Sequence, residues 1–220
     1  MSLSMKFLPQ SPWAYLRPLA IVVAIVMMVG WYYRLDRIAL YLLSDKQEGD
    51  VLLQSLPHSA LTDAIETVSR SPWSHCGILV RRDGHWQVAQ ALMDVHYTPL
   101  LEYLIQGRDL RVTSFRARNL TEEQKARLKL GIARLLGKPY DINYEPDDRK
   151  IYCSELVWKV YDRELGIHWG EWEAFGMLNW KPAEVFVRSV ERGKVPLDRM
   201  MITPVGLTRT GKVTQVFTSW

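Results

Sequence analysis

One cysteine and one histidine stand where they could form a nucleophile and its base. Cys153 opens a well-patterned helix over residues 152–165, with Cys153, Leu156, Val157, Val160 and Tyr161 on one face. Free backbone N–H groups and the dipole at a helix N-terminus stabilise a thiolate and lower its pKa. The same amides could receive an oxyanion. A lone cysteine is as readily a small buried hydrophobe, and position alone does not separate the two. His75 enters a strand, Cys76–Arg82, behind Ser74. A base on a strand facing a nucleophile on a helix terminus is the geometry a cysteine–histidine pair requires. Gly77 shares the face of His75, because strand side chains alternate, and leaves room beside the imidazole. His58, His85, His96 and His168 fall in turns or loops and read as solvated.

A third group must orient the imidazole. The return strand around Val88-Ala89-Gln90-Ala91 offers Gln90, whose side-chain oxygen can accept the ring N–H. Asp94 and His96 are substitutes further on. An amide holds the tautomer but stabilises imidazolium less than a carboxylate does. Cys76 follows His75 directly, so alternation points it to the opposite face. It is expected to pack in the core, neither pairing with Cys153 nor joining His75 and Cys153 in a metal site.

These residues need a scaffold. Glu48-Gly49-Asp50 is a turn before a short strand, Val51–Gln54. Residues 59–70 read as a helix capped by Ser59 and broken at Ser71-Pro72. Asp83-Gly84 is a hairpin signal between Cys76–Arg82 and Trp86–Leu92. Tyr97-Thr98-Pro99 leads into a helix ending at residue 106, and Leu110–Phe115 is a further strand. Thr121 and Gln124 have capping-box spacing before a helix carrying Leu128, Ile132, Leu135 and Leu136, which stops at Gly137. A tryptophan-rich loop (Trp169, Trp172, Trp180), a helix from Pro182 to Arg192 and a strand Val213–Phe217 complete the chain. Hairpins mixed with helices indicate α+β.

The 220 residues are 48% apolar and 24% charged, enough for one domain with a core plus an appendage. Residues 1–44 hold four basic groups against one acidic, whereas residues 45–220 hold 24 against 23. The near-neutral domain argues against nucleic acid as a partner. Two cysteines exclude a disulfide-rich scaffold, and without C-x-x-C there is no four-cysteine zinc site. G-x-S-x-G, H-E-x-x-H and the P-loop pattern are absent.

From Pro18 to Tyr33 sixteen residues carry no charge, between Arg17 and Arg34. As a helix this run would be about 24 Å long against a hydrocarbon core of about 30 Å, with arginines able to snorkel. Trp13, Tyr15, Trp31, Tyr32 and Tyr33 resemble aromatic belts. Met28-Val29-Gly30 is a poor cleavage site. The expectation is an uncleaved single-pass transmembrane anchor. Residues 35–45 would add an amphipathic helix at the membrane surface or joining span to domain. Residues 1–45 are then anchor and residues 46–220 the domain. Lys6 and Arg17 balance Arg34 and Arg37, so charge does not set the orientation; the arrangement expected is N-in, with the domain periplasmic or otherwise outside the cytoplasm.

Five segments occur in a recognisable order and spacing: Glu48-Gly49-Asp50-Val51, Ser74-His75-Cys76-Gly77-Ile78, Tyr97-Thr98-Pro99-Leu100, Gly137-Lys138-Pro139-Tyr140-Asp141 and Tyr152-Cys153-Ser154-Glu155-Leu156-Val157-Trp158. Over about residues 48–218 the chain resembles the YiiX/YebB-like family, permuted papain-like cysteine hydrolases of the NlpC superfamily. The resemblance implies a papain-like fold in which the histidine strand precedes the cysteine helix. It implies Cys153 as nucleophile and His75 as base, with Tyr140, Ser154 and Asp50 on the substrate side and no metal or cofactor. The family usually has a glutamate as third member where this chain has Gln90, a departure that either tunes the histidine or marks a weakened enzyme.

The chemistry implied is acyl transfer through a thioester. The first expectation is an amidase or peptidase acting on peptide or amide substrates. The second is a lipid-directed acyl hydrolase or acyltransferase, favoured by the anchor and the tryptophan-rich loop. The third is a catalytically silent binding module, supported by Gln90 alone.

Overall fold

The structure, a computed structural model, describes residues 13–220. The chain divides into two compact units, residues 1–36 and 37–220. The first holds α1 (Trp13–Tyr32), whose stretch after Arg17 is an uncharged run rich in Ile, Val, Ala and Met with exposed apolar side chains, Leu19, Ile21, Val22 and Met27 among them. Among the described residues no single helix is long and apolar enough to cross a membrane. Lys6, one of the flanking charges of the expected span, lies outside the described residues.

In the second unit, α2 (Leu35–Leu43) enters with Ile38 and Tyr41 buried, Tyr41 packing edge-on against Phe217 at 5.1 Å. This helix, expected to belong with an anchor, is thus a packed element of the domain, and the unit boundary falls earlier than residue 45. β1 (Val51–Gln54) follows, then α3 (Ala60–Ser69), capped by the Ser59 hydroxyl. β2 (His75–Arg82) and β3 (His85–Ala91) form the hairpin, with Asp83 and Gly84 both at positive φ as a two-residue turn demands. β4 (Val95–Pro99) was expected only as a lead-in to α4 (Leu100–Gln106). Its Pro99 is compatible with pairing because β4 is an edge strand. β5 (Thr113–Arg116), α5 (Glu122–Leu135) and α6 (Cys153–Leu165) come next, followed by β6 (Glu173–Ala174), α7 (Glu184–Val190), β7 (Met200–Met201) and β8 (Thr214–Thr218).

Six strands form one sheet in the order β4-β3-β2-β1-β5-β8, every neighbour antiparallel. Alternation sorts its side chains into two cores. Val51, Leu53, Cys76, Ile78, Val80, Ala89 and Ala91 face α5 and α6, meeting Leu128, Ile132, Leu156, Val157 and Val160. Leu52, Leu79 and Val88 face Leu100, Tyr103 and Leu104 of α4 and Tyr41 of α2. A third cluster joins α3 to α7 through Ala64, Val68, Phe175 and Val187.

The Glu48-Gly49-Asp50 turn serves the scaffold. Gly49, at φ +93°, lies against Leu120 and Tyr161, where a Cβ would come within 2.6 Å and 2.9 Å. Its carbonyl accepts the Tyr161 hydroxyl, and Glu48 accepts Arg81 N–H at 2.8 Å and Lys129 at 3.1 Å. Gly77 also differs from expectation. A Cβ there would meet Val88 Cγ1 at 2.5 Å and Ala89 O at 2.8 Å, so the residue permits close approach of β2 and β3 and not clearance for the imidazole.

The tryptophan-rich loop packs inward. Trp169 is buried edge-on against Tyr161 at 4.4 Å, and Trp172 packs on Trp158 at 5.2 Å. The loop therefore gives no support to a membrane-facing surface.

Candidate active site

Cys153 is the first residue of α6, with Tyr152 at the cap in an extended conformation. The first N–H groups of any helix lack partners within it, so the sulfur sits at the positive end of α6. His75 is the first residue of β2, which packs under that helix end. The imidazole is close enough to the Cys153 sulfur to help lower its thiol pKa. Its Nε2 is 2.6 Å from Gln90 Oε1 on β3. Gln90 pairs with Gly77, two residues along from His75 and therefore on the same face. Cys153, His75 and Gln90 are 1%, 2% and 1% exposed.

Which proton sits where follows from the partners. An amide oxygen only accepts, so Nε2 carries the hydrogen. That leaves Nδ1 as the lone-pair nitrogen toward the thiol. The Cys153 thiol is held well below the ordinary cysteine range. The largest cause is the Cys76 thiol, which donates to its sulfur; His75 adds a hydrogen bond and, once it has taken the thiol proton, its positive charge, and the Cys76 backbone N–H adds another hydrogen bond, against the opposing effect of burial. Cys76 moves the other way, since burial first, and then its hydrogen bond with Cys153, push its thiol up.

Cys76 packs in the core and forms no disulfide with Cys153, as expected, yet its thiol lies close enough to act on that of Cys153. Cys76 is buried in the core as alternation requires, but α6 packs on that same face and brings Cys153 to it. Both cysteines are free thiols. With the two sulfurs this close, the facing argument against a metal site fails. Among the described residues no group of three or more His, Cys, Asp or Glu side chains is placed to hold a metal ion.

Tyr140 is brought beside the pair by the Gly-Lys-Pro-Tyr-Asp segment, which runs along the start of β4. Val95 N–H bonds Lys138 O at 2.9 Å, and Tyr140 N–H bonds Met93 O at 2.9 Å. Its hydroxyl is 2.9 Å from that of Tyr144. Burial, then Tyr144 and the charge of Cys153, push the Tyr140 phenol well above its ordinary value, so it stays protonated. Tyr144 was not foreseen. It sits at φ +56°, sparsely allowed for an aromatic residue, and its ring lies 4.5 Å from that of Tyr152. Burial and the Cys153 charge raise its phenol as well.

Two other expected substrate contacts are placed differently. Asp50 is 1% exposed and fully engaged: Arg116 Nε and Nη2 donate to its two oxygens at 2.6 Å and 2.8 Å, and Gln47 N–H adds a bond at 2.8 Å. That makes it a buried ion pair tying the start of β1 to the end of β5. Ser154 is fully buried and donates to Ile202 O at 2.7 Å, fixing α6 to the segment after β7. Asp94 and His96 stand behind Gln90 and not in its place. His96 Nδ1 is 2.8 Å from Asp94 Oδ1, and His96 Nε2 is 3.5 Å from Gln90 Nε2.

An apolar cavity of about 80 Å³ shares Tyr144 and Ile202 with these surroundings. Leu61, Ala64 and Val68 of α3, Phe175 and Val187 are among its other walls.

A cysteine at a helix terminus, a histidine on an adjacent strand and a side-chain amide on the imidazole define a papain-like thiol site, here with the histidine strand first in the chain. Residues 45–217 match the model of the permuted papain-like amidase enzymes of the YaeF/YiiX, C92 family, and the chain belongs to that family. It is 33% identical over 177 residues to the protein YiiX of Escherichia coli K12, itself described as uncharacterized, with 79% of this chain and 87% of that one covered. A crystal structure described as the metalloprotein YiiX from Escherichia coli O157:H7 matches at a TM-score of 0.75 and 32% identity, over 79% of this chain and 98% of that one. The family supports a cysteine-hydrolase, amidase-type function.

Proposed function

We propose that this protein hydrolyses amides through a thioester on Cys153, with His75 as base and Gln90 as the group that orients it. The observation that carries the reading is the 2.6 Å contact between His75 Nε2 and Gln90 Oε1, because it leaves Nδ1 unprotonated beside a depressed thiol. His75 takes the thiol proton and the sulfur adds to the substrate carbonyl carbon. The oxyanion meets the N-terminal amides of α6. Collapse breaks the C–N bond as the imidazolium protonates the leaving amine. Water, losing its proton to His75, then attacks the thioester, releasing the acid and restoring the thiol. The neutral phenols of Tyr140 and Tyr144 wall the site.

On the substrate side, the cavity beyond Tyr144 suits an apolar substituent next to the scissile carbonyl. Its aliphatic lining and the exposed apolar surface of α1 also favour a second reading, acyl transfer from lipid at a membrane to which the N-terminal segment attaches. A relative is described as a metalloprotein. The donor set near Cys153 does not fit a metal ion, and the steps above run on thiol and imidazole alone.

The test offers the full chain peptide amides with apolar or charged acyl residues, and separately phosphatidylcholine vesicles, followed by acid quenching and intact-mass analysis. The expected result is an acyl adduct from the apolar amides that is absent in Cys153→Ala. An adduct from the vesicles alone assigns the second reading. Turnover that survives Cys153→Ala overturns both.

A further inference from the structure

Gln90 carries an ambiguity that a glutamate in its place would not. A carboxylate presents an acceptor whichever way it is turned. An amide turned over by half a turn presents N–H groups to His75 Nε2. The imidazole would then accept at Nε2 and carry its proton on Nδ1, where it could not take the proton of Cys153. The glutamine serves only in one of its two orientations, and something must select it.

The surroundings of Gln90 are sorted for that purpose. On the oxygen side, Gln106 Nε2, at the last residue of α4, donates to Gln90 Oε1 at 2.9 Å beside the His75 bond. On the nitrogen side, Gln90 Nε2 donates to Thr98 Oγ1 of β4 at 2.6 Å. His96 Nε2 lies on the same side at 3.5 Å, and its other nitrogen faces the Asp94 carboxylate. Donors meet the oxygen and acceptors meet the nitrogen. Thr98 alone does not discriminate, since a hydroxyl can donate as well as accept. Among the described residues Gln106 Nε2 is the one donor added to His75 on that oxygen, and His96, whose Nδ1 faces the Asp94 carboxylate, turns an acceptor nitrogen to the other end of the amide.

We propose that Gln106 is a positioning residue: its amide N–H fixes the carbonyl of Gln90 toward His75 and so sets the imidazole tautomer that can receive the thiol proton. The inference rests on the thiol–imidazole reading of the site for its catalytic consequence, but not for the tautomer itself.

The experiment compares Gln106→Leu and Gln106→Glu in two backgrounds, the natural Gln90 and Gln90→Glu. Two quantities are read on the full chain: the tautomer of His75 from imidazole ¹⁵N shifts, assigned by His75→Ala, and the pH profile of Cys153 alkylation by iodoacetamide. With Gln90 in place, Gln106→Leu is expected to shift His75 away from the Nε2–H tautomer and slow alkylation about 10-fold. Gln106→Glu, which presents only acceptors, is expected to do more. In the Gln90→Glu background, Gln106→Leu should change neither quantity, because a carboxylate has no wrong orientation. A merely structural role for the end of α4 would lower both backgrounds equally, and that result overturns the proposal. So does an Nε2–H tautomer that persists in Gln106→Leu with Gln90 present. Were Cys153 unreactive in the natural chain while the tautomer still followed Gln106, the positioning role would stand and the catalytic reading would fall.

Discussion

Gln90 Oε1 on β3 lies 2.6 Å from His75 Nε2 on β2, so a neutral amide and not a carboxylate holds the imidazole. The contact is made between neighbouring antiparallel strands, with Gly77 opposite Gln90 in the register. A neutral acceptor fixes the tautomer but offers an imidazolium less than a full charge would. The chain therefore keeps the geometry of a thiol–imidazole site while reducing its electrostatic support.

That difference is measurable. Gln90→Glu should preserve or raise both hydrolysis and the alkylation rate of Cys153. Gln90→Ala should lower them by roughly 100-fold, the scale of a mis-set base. Steady-state hydrolysis and stopped alkylation time courses read the two effects; no change in either variant would remove Gln90 from the mechanism.

Cys76 should matter for acidity and not for turnover chemistry. Its thiol is the largest cause of the depressed Cys153 value. Cys76→Ala removes that donor, so the alkylation rate of Cys153 should rise only at higher pH than in the natural chain. The sign follows from the direction of the shift. A lowered thiol pKa means that thiolate is present, and alkylation near its plateau, at pH values where an ordinary cysteine is still protonated. Cys76→Ser, which keeps a donor, should retain most of the shift. A profile unmoved by Cys76→Ala would assign the whole effect to His75 and the helix terminus.

Asp50 should act on stability alone. Asp50→Ala leaves Arg116 without its bidentate partner, and breaking a buried pair on one side costs about 3–5 kcal/mol. Since Arg116 keeps partial exposure and a second carboxylate, Asp45 at 3.0 Å, the lower end of that range is expected. Denaturant unfolding should show the loss. The protein that remains folded should alkylate at Cys153 as the natural chain does; a selective loss of substrate binding in a fully stable variant would return Asp50 to the site.

Gly77→Ala should destabilise by about 1–3 kcal/mol, the usual range for forcing a methyl group into a filled core. Because the new Cβ would press on Val88 and the Ala89 carbonyl, it should also displace the neighbouring Gln90 and slow Cys153 alkylation. An equally stable variant would show that β2 and β3 can separate at little cost.

Much of the site was legible in the residues because local rules govern those parts. Helical periodicity put Cys153 at the start of α6, and Asp83-Gly84 set the hairpin that holds Gln90 near His75. What escaped depends on packing between elements distant in the chain. Alternation gave the correct face for Cys76 but not which helix covers it, so its contact with Cys153 was missed. Tyr144 gave no signal, since its positive φ belongs to a loop whose course only the tertiary structure fixes. Gln106 looked like the polar end of a short helix, and its role appears only where α4 crosses the sheet beside β3. Asp50 and Ser154 were assigned to substrate because they sit in recognisable motifs. Their buried bonds, Asp50 to Arg116 and Ser154 to the Ile202 carbonyl, join elements distant in the chain and show only in the tertiary structure. The tryptophan-rich loop could be read as core or as membrane surface, and Trp169 is core.

The most direct test of the paired Cys153 and His75 is intact-mass labelling with iodoacetamide near neutral pH, run on the natural chain, Cys153→Ala and His75→Ala. One rapid label on the natural chain, lost in Cys153→Ala and strongly slowed in His75→Ala, is the expected result. A rate indifferent to His75→Ala, or equal slow labelling of Cys76 and Cys153, would show that the thiol and the imidazole are not coupled.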